Sequence, residues 1–251
     1  MVAGILHRDL SLNNIMYRIV KKKNKAGVME EKLYGVLTDF DLASWTKTLN
    51  KDYTKTSQQR TGTPPFMAYG LLKGSDPLHL YRHDLESLFY IMLILATHYE
   101  IQLPTEGEQG GLRTRQGLEE LPYQMWFDQR SYRALASFKR DFIQELDDLD
   151  IPPSFEDFRG WLEEIRLSFR RGIRSQGIYA EEEAARRRRR DNGLKDEGAP
   201  MFDDETLGGH VNYSALINPA RELKGKLKGL IIRYDPSPPT STSPADTIFV
   251  F

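Results

Sequence analysis

The stretch that decides the fold is His7-Arg8-Asp9-Leu10-Ser11-Leu12-Asn13-Asn14-Ile15, followed by Asp39-Phe40-Asp41, which begins 25 residues after Asn14. Between them lie two short segments rich in β-branched and aromatic residues, Ile15–Val20 and Leu33–Thr38. They predict a β-hairpin with a long polar loop. We therefore expect three oxygen-bearing side chains, those of Asp9, Asn14 and Asp39, to converge on one site.

These residue types suit the chemistry of phosphoryl transfer. The reaction needs a carboxylate that accepts a hydroxyl proton and hard oxygen ligands that hold magnesium against phosphates. Asp9 fits the first requirement, and Asn14 and Asp39 fit the second. Each residue alone is better explained as a turn residue or a strand-end cap, so only the conjunction at this spacing favours the chemical interpretation.

The pattern resembles the catalytic loop and metal-binding motif of protein kinases. Asp-Phe-Asp in place of Asp-Phe-Gly, combined with the segment His83–Tyr90, is similar to the fungal-type protein kinase family and more specifically to its C-terminal lobe. The resemblance implies ATP and Mg²⁺ as cofactors. It also implies that Asp9 orients the attacking hydroxyl and that Asn14 and Asp39 bind the nucleotide through magnesium, with Arg8 beside the catalytic Asp.

Two further features fit the same resemblance. The segment Thr61–Ala68 resembles the end of an activation segment, and in kinases that act on Ser and Thr the residue matching Thr63 contacts the catalytic Asp. His7 and Asp84 would give structural support, because an Asp at the start of the central helix accepts hydrogen bonds from the catalytic-loop backbone. An acidic residue favoured by the helix dipole explains Asp84 equally well.

Regulation is a further hypothesis. Arg8 matches the residue through which many kinases sense a phosphate on the activation segment, and Thr56 and Thr61 lie in a loop rich in hydroxyl groups. A phosphate there could pair with Arg8 bidentately. A loop that is merely polar is an equal alternative.

The fold class that follows is mainly α with a small β-hairpin, which the resemblance identifies as a protein-kinase-like C-lobe lacking the N-lobe. The segment Asp84–Tyr99 is apolar on every side, which predicts a central helix. An apolar stripe between Tyr132 and Leu146 predicts a second helix, a capping-box-like start at Ser154 a third, and Asn218-Pro219 the start of a last one.

The predicted domain covers residues 1–235 and includes a charged insertion at about 171–200, where acidic residues precede the run Arg186–Arg190. We favour a solvated charged helix for this run over a nuclear-import or RNA-contacting patch. Residues 236–251 are rich in Pro, Ser and Thr and predict a disordered tail.

Several departures from a complete kinase bear on activity. Only six residues precede His7, and no Gly-rich strand pair stands before it. Ser11 occupies a position where Ser/Thr kinases commonly have a lysine, and Gly70 occupies that of the glutamate ending the activation segment. Because positioning and charge stabilisation supply nearly all the catalysis, we expect the chain alone to show no meaningful kinase activity.

Composition limits the remaining classes. Lys and Arg number 35 against 36 Asp and Glu, so no global field attracts nucleic acid or membrane, and neither is an expected partner. With no cysteine, no signal peptide and no apolar run long enough to span a bilayer, we expect an intracellular protein, cytoplasmic or nuclear. The expected partners are a protein substrate and a missing N-lobe or partner chain.

Three functions stay open. The first is a protein kinase catalytic C-lobe that transfers phosphate from ATP to protein Ser/Thr. The second is a non-catalytic pseudokinase-like interaction module that keeps the helical scaffold and the peptide-docking surface. The third is a small-molecule phosphotransferase, against which Arg8 and the Gly62-Thr63 docking segment argue, because small-molecule kinases usually lack both.

Overall fold

Helix α2, Tyr81–His98, forms the centre of the core. The computed structural model describes residues 4–24, 27–45, 61–74, 78–102, 111–195, 198, 200–222 and 247–250. Phe89 of α2 is fully buried and stacks on Phe142 and Phe169, with ring centroids 6.0 and 5.7 Å apart. A helix that is apolar on all sides has to be buried, so the predicted central helix is confirmed, beginning three residues before Asp84.

The other helices surround α2. They are α1 Tyr69–Lys73, α3 Met125–Asp128, α4 Tyr132–Gln144, α5 Arg159–Asp191 and α6 Tyr213–Glu222, with 3₁₀ turns at Leu12–Asn14, Pro64–Phe66 and Pro153–Phe158. The buried face of α4 consists of Leu135, Ala136, Lys139, Phe142 and Ile143. It differs at both ends from the predicted stripe, since Tyr132 and Leu146 are exposed.

The sheets are small and antiparallel. The strands are β1 Ile5–Leu6, β2 Ile15–Lys23, β3 Met29–Leu37, β4 Ser44–Trp45, β5 Tyr99–Gln102, β6 Gly111–Thr114 and β7 Thr247–Val250. Strands β2 and β3 pair from Ile15↔Leu37 to Lys23↔Met29. The predicted hairpin is therefore confirmed, but its loop is shorter than expected because the charged segments also pair, with Lys22 opposite Glu30.

Most of the charged segment at 171–200 belongs to α5, which continues unbroken to Asp191, and Glu183 pairs there with three arginines of the following turns, in agreement with the charged helix favoured for Arg186–Arg190. The last helix differs from its predicted start. Pro219 lies inside α6 rather than at its start. The helix begins earlier because the Asn212 side chain accepts a hydrogen bond from the Ala215 amide.

The predicted tail at 236–251 is described only at Thr247–Val250, and these four residues form strand β7 beside β2 rather than a disordered segment. Their composition explains the difference, because Ile248, Phe249 and Val250 favour strands. The predicted stripe after Pro219, at 223–231, lies outside the described residues. Within the described part of the chain, no helix is both long and apolar enough to cross a bilayer.

The contact between α5 and the turn at Leu207 leaves no room for a side chain at Gly172. A Cβ on Gly172 would lie 2.7 Å from the Cβ of Leu207, whereas a Cβ on Gly177 of the same helix meets no atom within 4 Å. We expect Gly172→Ala to lower the free energy of unfolding by about 1–3 kcal/mol and Gly177→Ala to raise it by about 0.5–1 kcal/mol. Urea denaturation of both variants measures the difference, and equal midpoints would contradict this packing.

Candidate active site

The loop after β1 is held by one carboxylate of the central helix. The Asp84 oxygens accept hydrogen bonds from the backbone amides of His7 and Arg8, at 2.7 and 3.1 Å. The His79 ring nitrogen Nε2 lies 2.9 Å from the same carboxylate. Arg8 has a φ of 71°, a left-handed conformation that costs energy for a residue with a side chain. The two amide bonds therefore fix a strained turn to the rigid centre of the core.

His7 connects this loop to the residues after the hairpin. The Asp9 amide faces His7 Nδ1 at 3.4 Å, so the ring carries its proton on Nε2 and donates it to the Thr38 carbonyl at 2.8 Å. The ring also packs edge-on against Phe40, with centroids 4.8 Å apart. His7 thus ties the segment of Asp9 to the segment of Asp39.

Asp9 is held by Thr63. Its Oδ1 accepts two hydrogen bonds from that residue, one from the backbone amide at 2.8 Å and one from the hydroxyl at 2.9 Å. Bonds to an ionised carboxylate are stronger than those between neutral groups. Two donors on one oxygen fix the orientation of the carboxylate and leave its second oxygen available to another hydroxyl.

Asn14 and Asp39 lie at the open end of the β2–β3 hairpin. The Asn14 side chain donates through Nδ2 to the Asp9 carbonyl at 2.9 Å, and the Asn14 carbonyl accepts from the Thr38 amide at 3.0 Å. Asp39 follows Thr38 directly, is exposed, and has a φ of 61°. The hairpin therefore brings the segments of Asp9, Asn14 and Asp39 to one place.

The donor set suits a magnesium ion. Because Nδ2 of Asn14 is engaged with Asp9, the amide oxygen Oδ1 is the atom that can face a cation. Among the described residues, the Asp39 carboxylate makes no hydrogen bond or ion pair, and no group of three or more His, Cys, Asp or Glu side chains could hold a metal. A magnesium ion here would rest on Asp39, Asn14 and the oxygens of a phosphate ligand, which is a chemically reasonable shell.

A buried lysine holds the segment that carries Thr63. Lys139 of α4 donates to the carbonyls of Pro65 and Met67 at 2.8 and 2.5 Å, and its ammonium lies 4.0 Å from the centre of the Tyr90 ring. Burial lowers the pKa of Lys139 well below its ordinary value, and the nearby Glu86 opposes that shift. The backbone after Thr63 is thus held by hydrogen bonds from one buried lysine side chain.

Glu86 completes this support. It is fully buried, and its Oε1 accepts from the Tyr69 amide at 2.7 Å and the Tyr90 hydroxyl at 2.6 Å. Burial raises the pKa of Glu86, and the bonds from Tyr90 and Tyr69 counteract the rise. Burial likewise raises the pKa of Tyr90 well above its ordinary value, so its hydroxyl stays a donor. The segment from Pro64 to Tyr69 is therefore anchored at both ends.

The predicted regulatory residues are only partly described. The Thr61 hydroxyl donates to the Arg8 carbonyl at 3.3 Å, which places the start of the segment beside the loop. Arg8 itself is buried, and its NH1 contacts the Leu42 carbonyl at 3.4 Å. Thr56 lies outside the described residues. Ser11 is buried next to Asn14, whose amide donates to the Ser11 carbonyl at 3.1 Å.

Three supporting residues, His79, Glu86 and Lys139, were not predicted from the sequence. His79 contacts Asp84 from the segment before α2, and no periodic pattern marks that segment. Lys139 did leave a signal, because it stands four residues after Leu135 and three before Phe142, in the middle of an apolar stripe. A lysine at such a position is on the buried face of the helix and needs acceptors there.

Comparison with known proteins agrees with the geometry. No curated protein and no solved structure matches the chain. Residues 1–96 match the family model described as fungal protein kinase, and this range contains every site residue named from the sequence. The resemblance predicted from the motifs is therefore confirmed: over residues 1–96 the chain matches the fungal protein kinase family.

Proposed function

We propose that the chain is the C-terminal lobe of a protein kinase catalytic domain, which transfers the γ-phosphate of ATP to serine or threonine side chains of a protein substrate. A kinase-like function at the coarse level follows from the family match. The acceptor class is supported by one observation above all, the pair of hydrogen bonds from Thr63 to Oδ1 of Asp9.

Those bonds give Asp9 the properties of a catalytic base. The carboxylate is held in one orientation, so its second oxygen can accept the proton of an acceptor hydroxyl as that oxygen attacks phosphorus. Thr63 also belongs to the segment that would dock the peptide, so the acceptor residue and its base are positioned together. A bound Mg²⁺ would supply charge neutralisation at the phosphates, held by Asp39 and Asn14.

An exposed apolar face adjoins the site, and its exposure favours the existence of a second lobe that covers it. Phe40, Leu42 and Trp45 are 48%, 41% and 60% exposed, and Ile5 and Leu37 nearby are similarly uncovered. Apolar clusters of this kind commonly mark surfaces that another element covers. We propose that an N-lobe, in the same polypeptide or in a partner chain, covers this face and provides the other half of the nucleotide pocket.

The experiment begins with the transcript. Sequencing upstream of Met1 identifies the longest open reading frame, and its purified product is incubated with Mg²⁺, labelled ATP and matched peptide libraries that contain Ser, Thr or Tyr as the acceptor. We expect label on Ser and Thr peptides and little on Tyr peptides. The chain of 251 residues alone should show no measurable transfer.

Each alternative has its own result. If the longest product holds no Gly-rich strand and no transfer occurs, the interaction module is correct and the kinase proposal is wrong. If only small molecules accept phosphate, the small-molecule phosphotransferase is correct. If the 251-residue chain alone turns over ATP and Asp39→Ala abolishes that turnover, the expectation of inactivity is wrong.

A further inference from the structure

A cavity of about 860 Å³ lies between α1, the start of α2 and the second half of α5, and none of Asp9, Asn14, Asp39 and Thr63 lines it. Its apolar wall is formed by Tyr69, Tyr179, Phe202 and Ile173. Such a volume and such a wall are typical of sites for small apolar or aromatic groups. The charged side chains on the wall determine which group fits.

Arg82 is the buried cation on this wall, and two of its nitrogens have no acceptor among the described residues. It is only 8% exposed, and its Nε donates to the Asp204 carbonyl at 2.6 Å. Within the part of the chain that the structure describes, no acceptor bonds NH1 or NH2. These two nitrogens lie 3.2 and 3.5 Å from the position that a Cβ on Gly70 would occupy, and Gly70 lines the cavity. Because Gly70 has no side chain, the NH1 and NH2 nitrogens of Arg82 border the cavity.

The acids on the same wall are already engaged. Glu86 accepts from Tyr69 and Tyr90, and Glu183 bonds arginines of its own helix. Asp204 accepts from the Gln176 side chain at 2.7 Å. The hydrogen-bonding capacity left in the cavity is thus that of a donor, which calls for a ligand with acceptor oxygens.

Burial makes such a ligand favourable. Desolvation lowers the pKa of Arg82, and the nearby acids Glu86, Asp204 and Glu205 oppose that shift without hydrogen-bonding NH1 or NH2. Inside a cavity with an apolar wall, a hydrogen bond to a charged group is stronger than in water, and a planar carboxylate matches the two terminal nitrogens of a guanidinium in a bidentate pair. A doubly charged phosphate fits less well because three acids line the same cavity.

We propose that this cavity binds a carboxylate carried by an apolar or aromatic body, with Arg82 as its bidentate partner. The carboxylate belongs either to a free organic acid or to an acidic side chain of a bound peptide. The shared chemistry is one carboxylate at Arg82 and one apolar group against Tyr179 and Phe202.

The test uses the whole 251-residue chain and titration calorimetry. The probes are benzoate, its neutral counterpart benzamide, the capped tripeptide Phe-Glu-Phe with its Phe-Gln-Phe counterpart, and inorganic phosphate. We expect at least one carboxylate probe to bind ten times or more tightly than its neutral counterpart. Tighter binding of the tripeptide identifies a protein source, and tighter binding of benzoate identifies a free acid.

Three variants locate the site. Arg82→Met should weaken carboxylate binding at least tenfold. Gly177→Phe should do the same by filling the cavity, because Gly177 lines it and a Cβ there meets no atom within 4 Å. Gly160→Phe is the matched control on α5, since Gly160 is equally open but does not line the cavity, and it should change affinity less than twofold.

Other outcomes overturn the proposal. It is wrong if neither carboxylate probe binds more tightly than its neutral counterpart, or if phosphate binds as tightly as the better carboxylate. It is also wrong if Gly177→Phe binds the carboxylate with unchanged affinity. Circular dichroism checks the fold of each variant. Should Arg82→Met fail to fold, the comparison of Gly177→Phe with Gly160→Phe decides the question alone.

Discussion

Replacing Lys139 with methionine is expected to lower the free energy of unfolding by about 2–5 kcal/mol, because each of two buried carbonyls that loses its donor costs about 1–3 kcal/mol. Methionine leaves the carbonyls of Pro65 and Met67 without their donor and removes one of the two cations near the buried Glu86, the other being Arg82. The aromatic contacts of the ammonium with Tyr90 and Trp126 are lost as well.

Chemical denaturation of the purified chain measures this loss. Lys73→Met is the matched control, because Lys73 is exposed on α1 and makes no hydrogen bond within the described residues. The control should change stability by less than about 0.5 kcal/mol. If Lys139→Met lowers the free energy of unfolding as little as the control does, the hydrogen bonds of Lys139 do not stabilise the segment after Thr63.

The second large effect is expected at Asp84. Asp84→Asn keeps one acceptor oxygen but replaces the other with a donor, which then faces a backbone amide, either His7 or Arg8. Hydrogen bonds to a charged group contribute about 1.5–3 kcal/mol each, so we expect the free energy of unfolding to fall by about 2–4 kcal/mol. Amide hydrogen exchange at His7 and Arg8 should also accelerate, because these two amides depend on Asp84.

Asp128→Asn serves as the control for this variant, since Asp128 is exposed at the end of α3 and makes no hydrogen bond in the described part of the chain. Protection of the His7 and Arg8 amides should be unchanged in the control. Unchanged protection in Asp84→Asn itself would mean that the loop does not depend on the central helix.

The sequence was most informative where one physical requirement dominates. Helix α2 is apolar all round, and burial is the only stable outcome for such a segment. The hairpin follows from its β-branched strands, and its geometry then determines where Asn14 and Asp39 lie. The bonds of Asp84 to the loop and of Thr63 to Asp9 agree with what the resemblance implied.

Features that depend on distant partners were not predictable. Pro219 lies within α6 because Asn212 starts the helix a turn earlier, and a start at proline was the wrong choice between two local signals. The cavity at Arg82 depends on contacts between α1, α2 and α5, and no local pattern encodes them.

The central claim is that Asp9, held by Thr63, is the base in a transfer of phosphate to a hydroxyl. It is tested most directly by measuring kcat for peptide phosphorylation by the longest product with Asp9→Asn. Asparagine keeps the Oδ1 that accepts from Thr63, so the loop should stay folded while the base is lost. Asp148→Asn, at an exposed carboxylate far along the chain, is the control.

We predict a fall in kcat of about 10²–10⁴ for Asp9→Asn and a change of less than twofold for Asp148→Asn. Equal rates for Asp9→Asn and the unmodified product, with both folded, would contradict the account.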